Sequence, residues 1–104
     1  HHGNGTQDVF YDSATVQYVS THADPDAGGE PYFMGYEHER GAGGGHGLTS
    51  NFPLPPVGVT GATYLPALAQ ALAAVRQHAP EWLVVSLGTD TEADDGVGAW
   101  HLST

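Results

Sequence analysis

A helical stripe that runs straight into an apolar, strand-like run constrains this chain more than any other feature. Leu65, Leu68, Leu72 and Val75 are three, four and three residues apart, which puts them on one helical face that Ala69 and Ala73 widen. The spacing predicts a helix over 63–78. Thr63 is the best-placed N-cap, Pro66 then falls in the first turn where amides have no intrahelical partner, and Ala79-Pro80 stops the helix. Immediately afterwards Trp82-Leu83-Val84-Val85-Ser86-Leu87 is nearly all apolar without alternation, the pattern of a strand covered on both faces in a parallel sheet. A helix feeding such a strand implies an α/β layered fold. Ligands of open sheets in that class bind beyond the carboxyl ends of the strands, and Asp90 falls there, just past Gly88.

The remainder is less regular. Ala14 to Ser20 is rich in β-branched and aromatic residues and reads as a strand. Gly5 to Tyr11 offers a short helical turn anchored by Val9 and Phe10. Residues 23–50 hold eight glycines and two prolines with no sustained period, an irregular excursion of the kind that is functional or disordered. Its aromatic island, Pro31-Tyr32-Phe33-Met34-Gly35-Tyr36, is more than a flexible linker needs. Asn51-Phe52-Pro53-Leu54-Pro55-Pro56 reads as an extended, proline-stiffened connector.

With 104 residues there is room for one small domain and no second. Twelve acidic residues face two arginines and no lysine, for a net charge of −10, which argues against nucleic acid as a partner. That field attracts cations, although it serves solubility as well. The absence of cysteine excludes disulfides and thiolate chemistry, so any metal must be held by His and carboxylate. No run approaches the roughly 18 apolar residues of a membrane span.

The densest chemistry lies at the opening, His1-His2-Gly3-Asn4-Gly5-Thr6-Gln7-Asp8. A chain that starts without Met inside such a cluster is expected to be an internal segment. His1 and Asp90, an imidazole and a carboxylate, suit zinc or a similar divalent ion. On the dipeptide alone, His1-His2 reads more simply as exposed polar residues or the remnant of a purification tag, and Asp90 equally well as a turn cap.

His1-His2-Gly3-Asn4-Gly5-Thr6-Gln7, Phe10-Tyr11, Val19-Ser20-Thr21-His22, Asn51-Phe52-Pro53-Leu54-Pro55-Pro56 and Ser86-Leu87-Gly88-Thr89-Asp90-Thr91 follow one another in an order that resembles the zinc-dependent deacetylases of the histone deacetylase and acetylpolyamine amidohydrolase family. Tyr32-Phe33-Met34-Gly35-Tyr36 and the glycines from Gly41 to Gly47 look more like the bacterial acetylpolyamine amidohydrolase branch. The resemblance implies a piece of a parallel-sheet, three-layer α/β/α arginase-deacetylase fold, with residues 1–104 forming the central portion of one deacetylase domain truncated at both ends.

It also implies roles. The family's zinc is held by an Asp-x-His pair and a distant Asp. His1 matches the histidine and Asp90 the distant aspartate, while the paired Asp would precede residue 1. His2 would neighbour the site. Potassium would be bound through the Ser20 hydroxyl and main-chain oxygens at His1 and Thr21, and at a second place through main-chain oxygens around Phe10, Ser13, Val16 and Leu48. Plain core packing is the competing reading for Phe10 and Val16. Phe33 matches the aromatic of the narrow acyl channel, with a loop anchor as the alternative, and Val97 falls where another apolar channel residue lies. Asp94-Asp95-Gly96 and Glu92 depart from the family's pattern beside it.

No catalytic residue is assigned within the chain. The family's tandem histidines lie upstream and its tyrosine downstream, and His1-His2 is not that pair. The expectation is a fragment of a zinc-dependent deacetylase acting on acetyl-lysine peptides or acetylated cationic small molecules, nearly inactive alone. Such an enzyme is expected to be cytoplasmic, with no membrane partner and with a homo-oligomeric parent allowed. The rival is a non-catalytic acidic module that binds cations or a partner on a relic deacetylase scaffold.

Overall fold

The structure is a computed structural model in which residues 1–103 are described. The first helix, α1 (Asn4–Phe10), realises the short turn expected over 5–11, and Gln7 is its one buried residue. Two strands, β1 (Tyr18–Ala23) and β2 (Thr49–Leu54), pair in parallel, in register from Tyr18 opposite Thr49 to Ala23 opposite Leu54.

The strand expected over 14–20 therefore lies farther along the chain. The ladder takes hold where the Tyr18 N–H meets the Leu48 carbonyl at 2.8 Å. The connector expected over 51–56 is corrected more sharply, since most of it belongs to β2. Proline is compatible with this ladder because residues in a strand turn their backbone polar groups to alternate sides. The Leu54 carbonyl accepts from the Asp24 N–H at 2.7 Å, so the nitrogen of the preceding Pro53 faces away from β1. A parallel pair needs a long crossover, usually helical. Here residues 24–48 supply it as the irregular excursion expected, with single 3-10 turns at Pro25–Ala27 and Gly43–Gly45.

The long helix, α2 (Gly61–His78), packs on both strands. It begins two residues before the expected start, so Thr60 rather than Thr63 is the N-cap residue. Pro66 consequently sits inside the helix, where it withholds the N–H that the Ala62 carbonyl would otherwise receive. Ala79 ends the helix in a left-handed conformation, its N–H on the Val75 carbonyl at 3.0 Å. The buried stripe also differs from the leucine stripe. Ala71 is buried and Ala67, Leu68 and Ala74 half-buried, whereas Leu65 and Leu72 remain exposed. Tyr64 and Val75 are half-buried as well, so the covered side mixes alanines with larger residues while Leu65 and Leu72 fall outside it.

The strand expected at Trp82 to Leu87 is not formed among the described residues. The segment has no ladder partner, and Trp82 and Val84 are 88% and 89% exposed. A strand exists through its neighbours, and this segment has none to pair with or be covered by. Beyond it the chain returns to the core. Trp100 packs with Leu54 and Val59, joined by Ala23, Tyr64, Ala67 and Leu102. Its indole N–H donates to the Pro55 carbonyl at 3.0 Å, and the His101 N–H donates to the Val59 carbonyl at 2.7 Å. No helix among the described residues is long and apolar enough to cross a membrane.

Candidate metal centre

His1 and Asp90, 89 positions apart in sequence, meet in space: His1 Nδ1 lies 3.2 Å from Asp90 Oδ2. Two donors on one tetrahedral zinc, each roughly 2.1 Å from it, are separated by about 3.4 Å, so this pair is close to the spacing of adjacent ligands of one ion. The opposite ring nitrogen, His1 Nε2, points toward Glu30 Oε2 at 3.9 Å. At that distance Glu30 makes no hydrogen bond to the ring, and both side chains are exposed. No third His, Cys, Asp or Glu completes a metal-binding group among the described residues.

His2 turns the other way, into the protein, and is 4% exposed. Its ring meets that of His22 at 4.4 Å and the edge of Tyr18 at 5.6 Å. The identity of each donor follows from its partners. Gln7 donates its amide to Glu39 Oε2 at 2.8 Å, so Gln7 Oε1 is the acceptor. That oxygen receives His2 Nε2–H at 2.7 Å and the Asn51 amide at 2.9 Å. Burial holds the His2 pKa below its ordinary value, and the imidazole is neutral.

His22, 1% exposed on β1, donates Nε2–H to the Gly35 carbonyl at 2.7 Å. Its Nδ1 must then accept, and Ser20 Oγ donates to it at 2.9 Å. The Ser20 oxygen thus keeps its lone pairs turned outward from this bond. Burial pushes the His22 pKa down to about 4. Gly35 is required at this contact. Its φ of +99° suits glycine, and a Cβ there would stand 2.7 Å from His22 Nε2.

A shallow concavity beside His1 is lined by His1, His2, Asn4, Glu30, Tyr32 and Phe33, among others. Phe33 is exposed on that wall, whereas Val97 is not brought to it. Val97 instead lies in an exposed turn in which the N–H groups of Val97 and Gly98 each donate to Asp95 Oδ1 at 2.8 Å, and these bonds lower the Asp95 pKa. Of the main-chain oxygens considered for a second cation, that of Phe10 accepts from Ser13 N–H at 3.1 Å and that of Leu48 from Tyr18 N–H. Val16 is half-buried before β1, and Thr21 pairs with Phe52 within the sheet.

The polar residues that hold this arrangement together, Gln7, Glu39, Asn51 and His22, carry no role in the sequence reading, nor does Glu30. Buried Asn51 and His22 within strand-like segments are the signal that could have found them. A polar side chain on the covered face of a strand needs an internal partner.

The chain matches the histone deacetylase domain over residues 1–104. It is 44% identical to acetylpolyamine amidohydrolase 2 of Pseudomonas aeruginosa over 104 residues, all of this chain and 30% of that protein. The crystal structure of an acetylpolyamine aminohydrolase from Burkholderia pseudomallei superposes with a TM-score of 0.89 at 40% identity, covering 97% of this chain and 29% of that one. The structure of an HDAC homolog complexed with SAHA gives 0.91 at 36% identity, covering 99% and 27%. The chain spans about 30% of the length of curated relatives that it matches.

Proposed function

The chain belongs to the histone deacetylase family, and from that premise we propose that the protein carrying it is a zinc-dependent amidohydrolase that releases acetate from acetylated amines. The observation that carries the reading is the 3.2 Å approach of His1 Nδ1 to Asp90 Oδ2 at the rim of a concavity walled by Phe33. The relatives named above as acetylpolyamine amidohydrolases and the charge of −10 favour a small cationic acetylated amine over an acetyl-lysine peptide. Nothing in the structure or among the relatives supports the non-catalytic alternative.

In this reading His1 and Asp90 hold the zinc. A zinc held there would supply Lewis acidity for a water and for the acetyl carbonyl. Phe33 offers an apolar wall to the methylene stem of the substrate. The outward lone pairs of Ser20 Oγ suit a potassium ion shared with main-chain oxygens of His1 and Thr21. Main-chain oxygens around Phe10, Ser13, Val16 and Leu48 suit a second one. The proton-transfer and carbonyl-binding groups are contributed from outside residues 1–104.

Expression of the full-length protein with zinc analysis and an acetate-release assay tests this. Zinc bound near one per chain, with hydrolysis of an acetylated diamine that disappears in Asp90→Ala, is the expected result. A full-length protein that takes up zinc yet hydrolyses no acetylated amine would sink it.

A further inference from the structure

One carboxylate oxygen gathers four donors drawn from three parts of the chain. Glu39 Oε2 accepts the backbone N–H of Gly35 at 2.8 Å and of Tyr36 at 3.0 Å. It also accepts the side-chain amides of Gln7 at 2.8 Å, from α1, and of Asn51 at 3.3 Å, from β2. Gly35 and Tyr36 immediately follow the segment that places Phe33 in the concavity, and Gln7 in turn holds His2, the neighbour of His1. The Asn51 amide adds a bond to the Tyr36 carbonyl at 3.2 Å, so the same loop is held from both sides.

We propose that Glu39 is the positioning residue of the substrate channel: its carboxylate fixes the loop bearing Phe33 against the part of the chain that bears His1. This rests on the deacetylase reading for the channel's use, and on the hydrogen bonds alone for the clamp. The chain bends sharply at Gly35, with the Gly35 N–H toward Glu39 and its carbonyl toward His22. A charged acceptor matters because four donors converge on it. Bonds to an ionised oxygen are about twice as strong as those to a neutral one. Glu39 lines neither the concavity nor the metal pair, so it acts through the loop and not on the substrate.

The test uses the full-length, zinc-loaded protein and the isosteric Glu39→Gln, with Glu37→Gln, an exposed carboxylate two residues away, as the matched loss of charge. In Glu39→Gln, hydrogen exchange at the Gly35 and Tyr36 amides quickens by about tenfold, and KM for an acetylated diamine rises by about tenfold while kcat stays within about twofold. Glu37→Gln changes neither. Glu39→Asp, which keeps the charge on a shorter stem, recovers part of both losses and stands in should the glutamine variant fold poorly. Unchanged exchange and KM in Glu39→Gln would overturn the proposal. So would a fall in kcat at constant KM, the mark of a smaller folded fraction. A wild-type protein without hydrolytic activity would remove the deacetylase reading, while the exchange rates would still decide the clamp.

Discussion

The two halves of the candidate metal centre are held in opposite ways. His1 adjoins a buried polar lattice in which hydrogen bonds tie His2, Gln7, Asn51 and Glu39 together and the Gly35 backbone joins His22 to them, with His2 Nδ1 and Asn51 Oδ1 left unpartnered among the described residues. Asp90 comes after an apolar segment with no partner, and its surroundings are fixed from the far side by Trp100 and the backbone bonds of residues 91–102. The lesson concerns what each half depends on. The polar half is directional and self-sufficient, because a hydrogen-bond network specifies one geometry when all its members are present. The apolar half is specified by burial, which needs a surface to be buried against.

Removing a ligand from either half tests whether the difference matters to the metal. His1→Ala and Asp90→Ala in the full-length protein should each abolish stable zinc binding and lower kcat/KM by on the order of 10³ or more, read by metal analysis and acetate release. Zinc retained at the wild-type level in both variants would show that neither half supplies a ligand. The anchor of the Asp90 half comes next. Trp100→Ala should cost about 3–5 kcal/mol in denaturant unfolding, because it empties the small core shared with Leu54 and Val59.

Acid probes the His1 half. Unfolded, His22 titrates near the ordinary histidine value of 6.5, and folded it titrates near 4. Between these values the unfolded chain binds the extra proton, so the stabilisation is fully present above pH 6.5 and is lost as pH falls, with the loss complete below pH 4. About 3 kcal/mol should disappear across that window. His2 shifts in the same direction and adds to the loss. A stability flat from pH 7 to 4 in urea titrations would contradict the buried neutral imidazoles.

Gln7→Ala should cost about 1–3 kcal/mol, since it strands the buried His2 Nε2–H and removes one of the acceptors of the Asn51 amide. The smallest effect is the sharpest comparison. Val84→Thr should change the stability of residues 1–104 by less than about 0.5 kcal/mol, as for any exposed site. In the full-length protein the same change should cost more than about 1 kcal/mol if the segment is covered there. Equal costs in the two settings would mean that Trp82 to Leu87 stays at the surface in both.

Much of this arrangement was legible in the sequence, and the failures share a cause. The existence of α2, its stop at Ala79-Pro80 and the excursion over residues 23–50 depend on local preferences, and they appear as read. The meeting of His1 with Asp90 was suggested by their donor types and made specific through resemblance, because no local rule joins residues so far apart. What was misread depends on neighbours. Pro53 suggested a connector until the side on which β1 pairs was known, and Trp82 to Leu87 carried a strand's composition without a strand's partner. The leucine stripe of α2 was read by size, but the covered side takes in alanines and leaves Leu65 and Leu72 outside it. Gln7 and Glu39 escaped notice because single polar residues in a helix and a loop look like surface until their partners are found.

The crossover between β1 and β2 has one more consequence. Geometry demands a long connection between parallel strands whatever its content. This chain fills it with glycines, aromatics and carboxylates in place of a helix, and ties both ends to the ladder through Leu48 and Asp24. A segment whose length is compulsory and whose ends are pinned is free to vary inside. Substitutions between Glu30 and Phe33 can therefore redraw the wall that a substrate meets while the strands remain as they are. The fold sets aside a place where selectivity can drift apart from stability, and Glu39 marks where that freedom ends.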